Sequence, residues 1–282
     1  AAFFSGITLI SALLILTPAA LAEAYTPSDI DQVMLKRTYP LRTTSNDPLI
    51  LEQDRLATQL RDAKVFVDFG LKHYDPRYLA YARGMLQDWW DDINVPEELI
   101  LLRARIKQHE HDFSAAIGEL SRVIELNPRH TTALLMRANA HRVKGDLQAS
   151  RIDCKRLTLL TDAIITLNCL AQSEIYGPEA HLFSERLAAL LSQSDSLNTE
   201  VRKEILTTIA LLYEASERRT IAESYYQQAL DLDRNNQFVI ARYAQLLLNT
   251  GRWQAALDLL PSELMTNTIR IQSAIALVAL NS

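Results

Sequence analysis

The chain has 282 residues, 48% of them hydrophobic and 22% charged, and a formal net charge of −5. That apolar content excludes a disordered chain, and 29 basic against 34 acidic residues give no electrostatic reason for nucleic acid to be the main partner. Only 7 Gly and 9 Pro interrupt a composition led by Leu, Ala and Arg, with Glu and Gln also present, all of which favour helix.

Residues 1–24 read as a signal peptide. No charge occurs before Glu23, the run Ile7 to Pro18 is apolar, and Ala22 and Ala24 form the small-x-small pattern that a signal peptidase cleaves, so that Tyr25 would begin the mature chain. Residue 1 is not Met and no basic stretch precedes the apolar run, so the expected leader lacks its extreme N-terminus. An uncleaved membrane anchor is the rival reading, although the apolar core is short for a span of about 20 residues. Residues 25–47 are polar, contain Pro27 and Pro40, and read as an extended arm. From Pro48 the apolar residues take helical spacing. Residues 48–96 form a first helical unit, with one helix through Leu51, Leu56, Leu60 and Val67. Asp75-Pro76 opens a second, Pro76 standing where a missing N–H costs nothing.

A 34-residue interval follows. Glu97 aligned with Thr131 sets Ala104 over Ala138, Asp112 over Asp146, Phe113 over Leu147 and Ala116 over Ser150. Lys203 aligned with Gln237 sets Ala210 over Ala244, Ala222 over Ala256 and Tyr226 over Leu260. Residues as small as alanine let two helices approach, and Phe113, Leu120 or Tyr226 fill the wedges beside them.

These segments resemble tetratricopeptide repeats. The match rests on Ala104, Asp112-Phe113, Ala116 and Asn127-Pro128 in one repeat, on Ala210, Tyr213, Ala222, Tyr226 and Ala229 in another, and on Ala244, Gly251-Arg252-Trp253 and Ala256 in a third. The resemblance implies an all-α fold, an α-solenoid of antiparallel helix pairs in a right-handed superhelix over residues 97–282. Its repeats fall near 97–130, 131–164, 203–236 and 237–267, with a degenerate unit at 165–196 and a final helix at 268–280. Arg103 and Arg137 stand where the family is usually apolar; packed stems with guanidiniums reaching helix-terminal carbonyls or carboxylates such as Asp112 or Asp146 are expected.

Cys154 and Cys169 lie about equally far from a turn near Thr161-Asp162, so antiparallel helices folded there bring them to one height. A structural disulfide is the expectation in an oxidising compartment. Two unrelated buried thiols are the alternative, and the spacing is not that of a redox-active pair.

Little points to catalysis or to a resident ion. His109 and His111 are two apart on a helix and point in different directions. No phosphate loop, HExxH or GxSxG run occurs. The reading is therefore a non-enzyme with no cofactor and no metal. Trp89-Trp90 beside Asp91-Asp92 would suit a saccharide, but packing and helix-end solvation account for them more simply.

The resemblance places the ligand groove on the first helix of each repeat. Carried over position by position it marks Arg105, Gln108, Asn139, Arg142, Leu211, Glu214, Phe238 and Gln245. Arg105 and Arg142 suit a carboxylate and Asn139 a peptide backbone. Leu101 and Leu135 occupy places where the full carboxylate-clamp pattern has polar residues. The function expected is a scaffold or assembly adaptor in the bacterial cell envelope, periplasmic and soluble or peripheral to a membrane, binding a protein or peptide partner. A periplasmic polysaccharide- or solute-handling protein and a non-catalytic regulatory subunit of an envelope enzyme or transporter are the alternatives.

Overall fold

The computed structural model describes residues 48–260 and 267–281; the leader and arm expected at 1–24 and 25–47 lie outside the described residues. A compact unit begins at Arg55, and of the unit preceding it only residues 48–54 are described. Among the described residues there are thirteen α-helices and no strand. They are α1 (Pro48–His73), α2 (Pro76–Met85), α3 (Glu97–His109), α4 (Phe113–Leu126), α5 (Thr131–Val143) and α6 (Leu147–Arg156). Then come α7 (Ala163–Gln172), α8 (Ala180–Leu191), α9 (Thr199–Ala215), α10 (Arg219–Leu232), α11 (Gln237–Asn249), α12 (Trp253–Leu259) and α13 (Asn267–Asn281).

One local device makes the hairpins. Tyr74, His111, Gly145, Glu217 and Gly251 all have left-handed backbone, with φ of 55°, 62°, 84°, 59° and 72°. In each case the next residue's N–H closes the preceding helix on the carbonyl five positions back: Asp75 on Gly70, Asp112 on Lys107, Asp146 on His141, Arg218 on Tyr213 and Arg252 on Leu247, every one at 2.9 Å. This is the left-handed helix stop that satisfies orphan carbonyls. The chain then starts the next helix at once. Asp75, Asp112 and Asp146 cap it, their carboxylates accepting from Arg77, Ala115 and Ala149 N–H at 3.0 Å. Asp112 and Asp146 are therefore caps, not acceptors for the arginines at 103 and 137.

Packing follows residue size. Ala104, Ala116, Ala222, Ala229, Ala244 and Ala256 are fully buried, as are Leu120 and Tyr226 beside them. Each large side chain buried in this way stabilises by about 1.5–3 kcal/mol. One core cluster joins residues of α3 to α7 and another joins α7 to α13, so α7 belongs to both. Ser150 stands in the alanine row of α6, and its hydroxyl is satisfied by Ser173 at 2.9 Å. Cys154 of α6 and Cys169 of α7 form a disulfide with Cα atoms 5.5 Å apart, at the junction the two clusters share.

Among the described residues Arg103 is the largest fully buried side chain. It donates to the carbonyls of Trp89 (3.2 Å), Trp90 (2.6 Å) and Asp92 (2.9 Å) and to Glu119 at 3.1 Å. It thereby pins the segment entering α3 to the first full hairpin. Arg137 instead forks onto Asp153 at 2.8 and 2.7 Å. The tryptophans are covered by cations: Arg55 lies over Trp89 at 4.6 Å and Arg83 over Trp90 at 4.9 Å, which removes ring faces that a saccharide would stack on.

Candidate functional site

The first helices of successive hairpins line a concave cavity of about 660 Å³. Gln108 of α3, Leu135, Met136, Asn139 and Arg142 of α5, Ile165, Asn168 and Gln172 of α7, Lys203, Glu204 and Leu211 of α9, and Phe238 of α11 all face it. That volume is in the range of small-molecule or peptide sites.

The groove candidates divide here. Gln108, Asn139, Arg142, Leu211 and Phe238 line the cavity. Arg105 does not; it is ion-paired with Asp68 at 2.8 Å, so the two-arginine carboxylate site is not assembled. Glu214 accepts the Tyr226 hydroxyl at 2.7 Å and faces Arg242 at 3.5 Å. Gln245 donates to Asn249 at 2.9 Å and accepts from Gln272 at 3.2 Å. These last two knit neighbouring hairpins together.

Position-by-position carry-over missed the contribution of α7, because the 165–196 frame is degenerate and offers no register to copy. Asn168 is 6% exposed and lines the cavity. Its amide N–H donates to Glu204 at 3.2 Å, and Gln172 donates to the same oxygen at 2.8 Å. A carboxylate can only accept, which fixes the orientation of the Asn168 amide and leaves its buried Oδ1 without a partner among the described residues. A second omission is the start of α9. Asn198 caps that helix, accepting from Val201 N–H at 2.9 Å, so it begins ahead of the frame at Lys203 and brings Glu200 and Val201 to the cavity. An Asn before an apolar-periodic run was the available signal.

The charges in the lining differ in how they are satisfied. Lys203 is held by Glu200 at 2.7 Å and Asp233 at 2.8 Å. Burial by itself would lower the Lys203 ammonium, but those two carboxylates outweigh it and raise the pKa. Arg142 is different. Its hydrogen bond among the described residues runs from Nη2 to Asn139 Oδ1 at 2.6 Å, and its buried Nε has no partner there. Burial holds its pKa below the ordinary arginine value, with Glu204 and Tyr176 offsetting in part. A desolvated guanidinium and an orphan amide oxygen, both on residues lining one cavity, leave the site short of one acceptor and one donor. Among the described residues no group of three or more His, Cys, Asp or Glu side chains is placed to hold a metal ion, and His130 is used as a cap for α5, accepting from Ala133 N–H at 3.1 Å.

Antiparallel hairpins stacked in series with their first helices on the cavity define a helical-repeat solenoid. A family model described as tetratricopeptide repeat matches residues 101–162. Among solved structures, a thermophilic tetratricopeptide-repeat protein of Thermus thermophilus is similar over 65% of this chain and all of its own (100%), with TM-score 0.56 and 20% identity. A tetratricopeptide-repeat protein from Parabacteroides merdae is similar over 80% of this chain and 87% of its own, with TM-score 0.51 and 13% identity. A chain of the APC/C Cut9–Hcn1 hetero-tetramer matches 79% of this chain over 42% of its own length, with TM-score 0.55 and 15% identity. No curated protein matches the chain in sequence. A tetratricopeptide-repeat segment therefore occupies residues 101–162, and the likeness to these solved structures shows the same helical-repeat fold. Proteins of this family are in general interaction modules that bind protein or peptide partners, and non-catalytic scaffolds.

Proposed function

We propose that this protein is a non-catalytic scaffold or assembly adaptor that holds an extended, acidic segment of a partner protein in the cavity of its first helices. The observation carrying the reading is the pair of unsatisfied groups, Arg142 Nε and Asn168 Oδ1, on residues that line one cavity of mixed polar and apolar wall. An acidic side chain or chain terminus supplies the acceptor that Arg142 lacks, and a backbone N–H supplies the donor that Asn168 lacks. Leu135, Met136, Ile165 and Leu211 would cover the apolar parts of the same segment.

A cell-envelope location is part of the proposal. The leader-like residues 1–24 and the Cys154–Cys169 disulfide support it, since such bonds persist in oxidising compartments. Among the described residues no helix is long and apolar enough to cross a membrane. Acid trapping of thiols in intact cells tests the compartment: the cysteines should be found oxidised, and free thiols at steady state would count against export.

The binding reading is tested by anisotropy with fluorescein-labelled peptides about ten residues long, acidic, neutral or basic, with free or amidated ends. Acidic peptides should bind best. Arg142→Gln should weaken them by about tenfold to a hundredfold, the loss of one charge-assisted hydrogen bond. Equal binding of acidic and basic peptides, or an Arg142→Gln variant as good as the parent, would refute it.

A further inference from the structure

Two half-exposed aromatic side chains stand in the cavity wall at opposite ends of the described chain. Tyr74, 39% exposed, belongs to the turn between α1 and α2; Phe238, 52% exposed, belongs to the first turn of α11. An isolated exposed aromatic is ordinary. Here two of them line one cavity, whose wall also includes the apolar Val201, Leu211 and Val239.

The backbone at Tyr74 sharpens the point. It holds the left-handed position that Gly145 and Gly251 hold in equivalent turns, at φ of 55°. A bulky L-residue there costs roughly 1–2 kcal/mol, which a glycine avoids. Of the five residues in that conformation, Tyr74 is the one that lines the cavity. Burial raises the pKa of the Tyr74 phenol, with the Phe238 backbone N–H and Lys203 offsetting in part.

We infer that Tyr74 and Phe238 are the specificity-determining jaws of the cavity, gripping an apolar or aromatic side chain of the bound segment beside the acidic group taken by Arg142. The inference rests on the peptide-holding function proposed above and adds a second requirement to it: charge at one point of the ligand, apolar bulk at another. The first hairpin is then part of the binding site, and the ligand is held by residues from both ends of the solenoid.

The test uses the full chain and fluorescein-labelled acidic peptides about ten residues long, each carrying one Leu, Phe or Ser at a scanned position. The parent protein should prefer Leu or Phe over Ser by about tenfold at one position, the worth of burying one such side chain. Tyr74→Gly removes the ring while suiting the left-handed backbone, and should erase that preference. Phe238→Ala should erase it too, and decides the matter if the Tyr74 variant does not fold. Tyr74→Phe keeps the ring and should bind within about threefold of the parent. Arg142→Gln should weaken every peptide while preserving the Leu-over-Ser ratio. A preference unchanged in Tyr74→Gly and Phe238→Ala overturns the jaws and leaves the peptide-holding reading intact. Failure of every peptide to bind the parent overturns both.

Discussion

Reduction of the Cys154–Cys169 disulfide isolates the contribution of one covalent link to a stacked fold. The linked residues are 15 apart, and the chain-entropy relation for a loop of that size gives about 3 kcal/mol of stabilisation at 25 °C. Both cysteines are buried, at 0% and 7% exposure, so reduction leaves the sulfurs packed and removes only the constraint. The link sits where one core cluster, α3 to α7, meets the other, α7 to α13. Stability in such solenoids is a sum of units and their nearest-neighbour interfaces, so the loss falls on this junction. With a urea dependence of about 2 kcal/mol/M, the transition that includes α6 and α7 should move down by about 1.5 M. Urea unfolding followed by circular dichroism, with and without a phosphine reductant, measures the shift. Hydrogen exchange should lose protection first in α6 to α8. A midpoint that moves by less than about 0.3 M would show that the α6–α7 interface holds without its bond, and the loop-entropy reasoning would fail.

Arg103→Ala removes a fully buried guanidinium from three carbonyls and Glu119, and should cost about 3 kcal/mol in chemical denaturation, with Trp89 and Trp90 fluorescence reporting release of the segment they anchor. Glu217→Gly places glycine where φ is 59°, and should raise stability by about 0.5–1 kcal/mol; the reverse change, Gly251→Ala at φ of 72°, should lower it by a similar amount. The pH profile has a definite sign. The hydrogen bond from Lys203 holds Asp233 below the ordinary carboxylate range, and the one from Arg77 does the same for Asp75. Their stabilisation is complete above about pH 4 and is lost as pH falls through those lowered values, and Asp233→Asn should flatten part of that acid limb. On the alkaline side, burial, with Glu223 adding to it, pushes the Tyr243 phenol up to about 12. Its contribution is complete below about pH 10 and disappears as pH rises toward its raised value, which tyrosinate absorbance during base titration measures.

What could be read from residues alone was local. Ala104 and Ala138, then Ala210 and Ala244, recur at an interval that fits helix hairpins, and the structure buries them at close helix contacts. The disulfide was legible for the same reason: two antiparallel helices joined by a short turn bring residues equidistant from it to one height. Even the arginine at 103 was recognisable as an odd occupant of an apolar position. Its acceptors were legible only as a class, helix-terminal carbonyls or a carboxylate; their identity was not, because Trp89, Trp90 and Asp92 reach it through a 3₁₀ turn that no period describes.

The cavity belongs to the tertiary structure. Tyr74, Arg142, Asn168 and Phe238 meet because small rotations between successive hairpins accumulate into curvature, a quantity set by every interface together and by no local run of residues. Hence Arg105, the repeat equivalent of Asn139, turns to Asp68, while Asn168, in the unit without a readable frame, lines the cavity and carries an unsatisfied oxygen. Helix and hairpin are decided by neighbours in sequence; the identity of the groups that share a concave wall is decided by the sum of the packing between them.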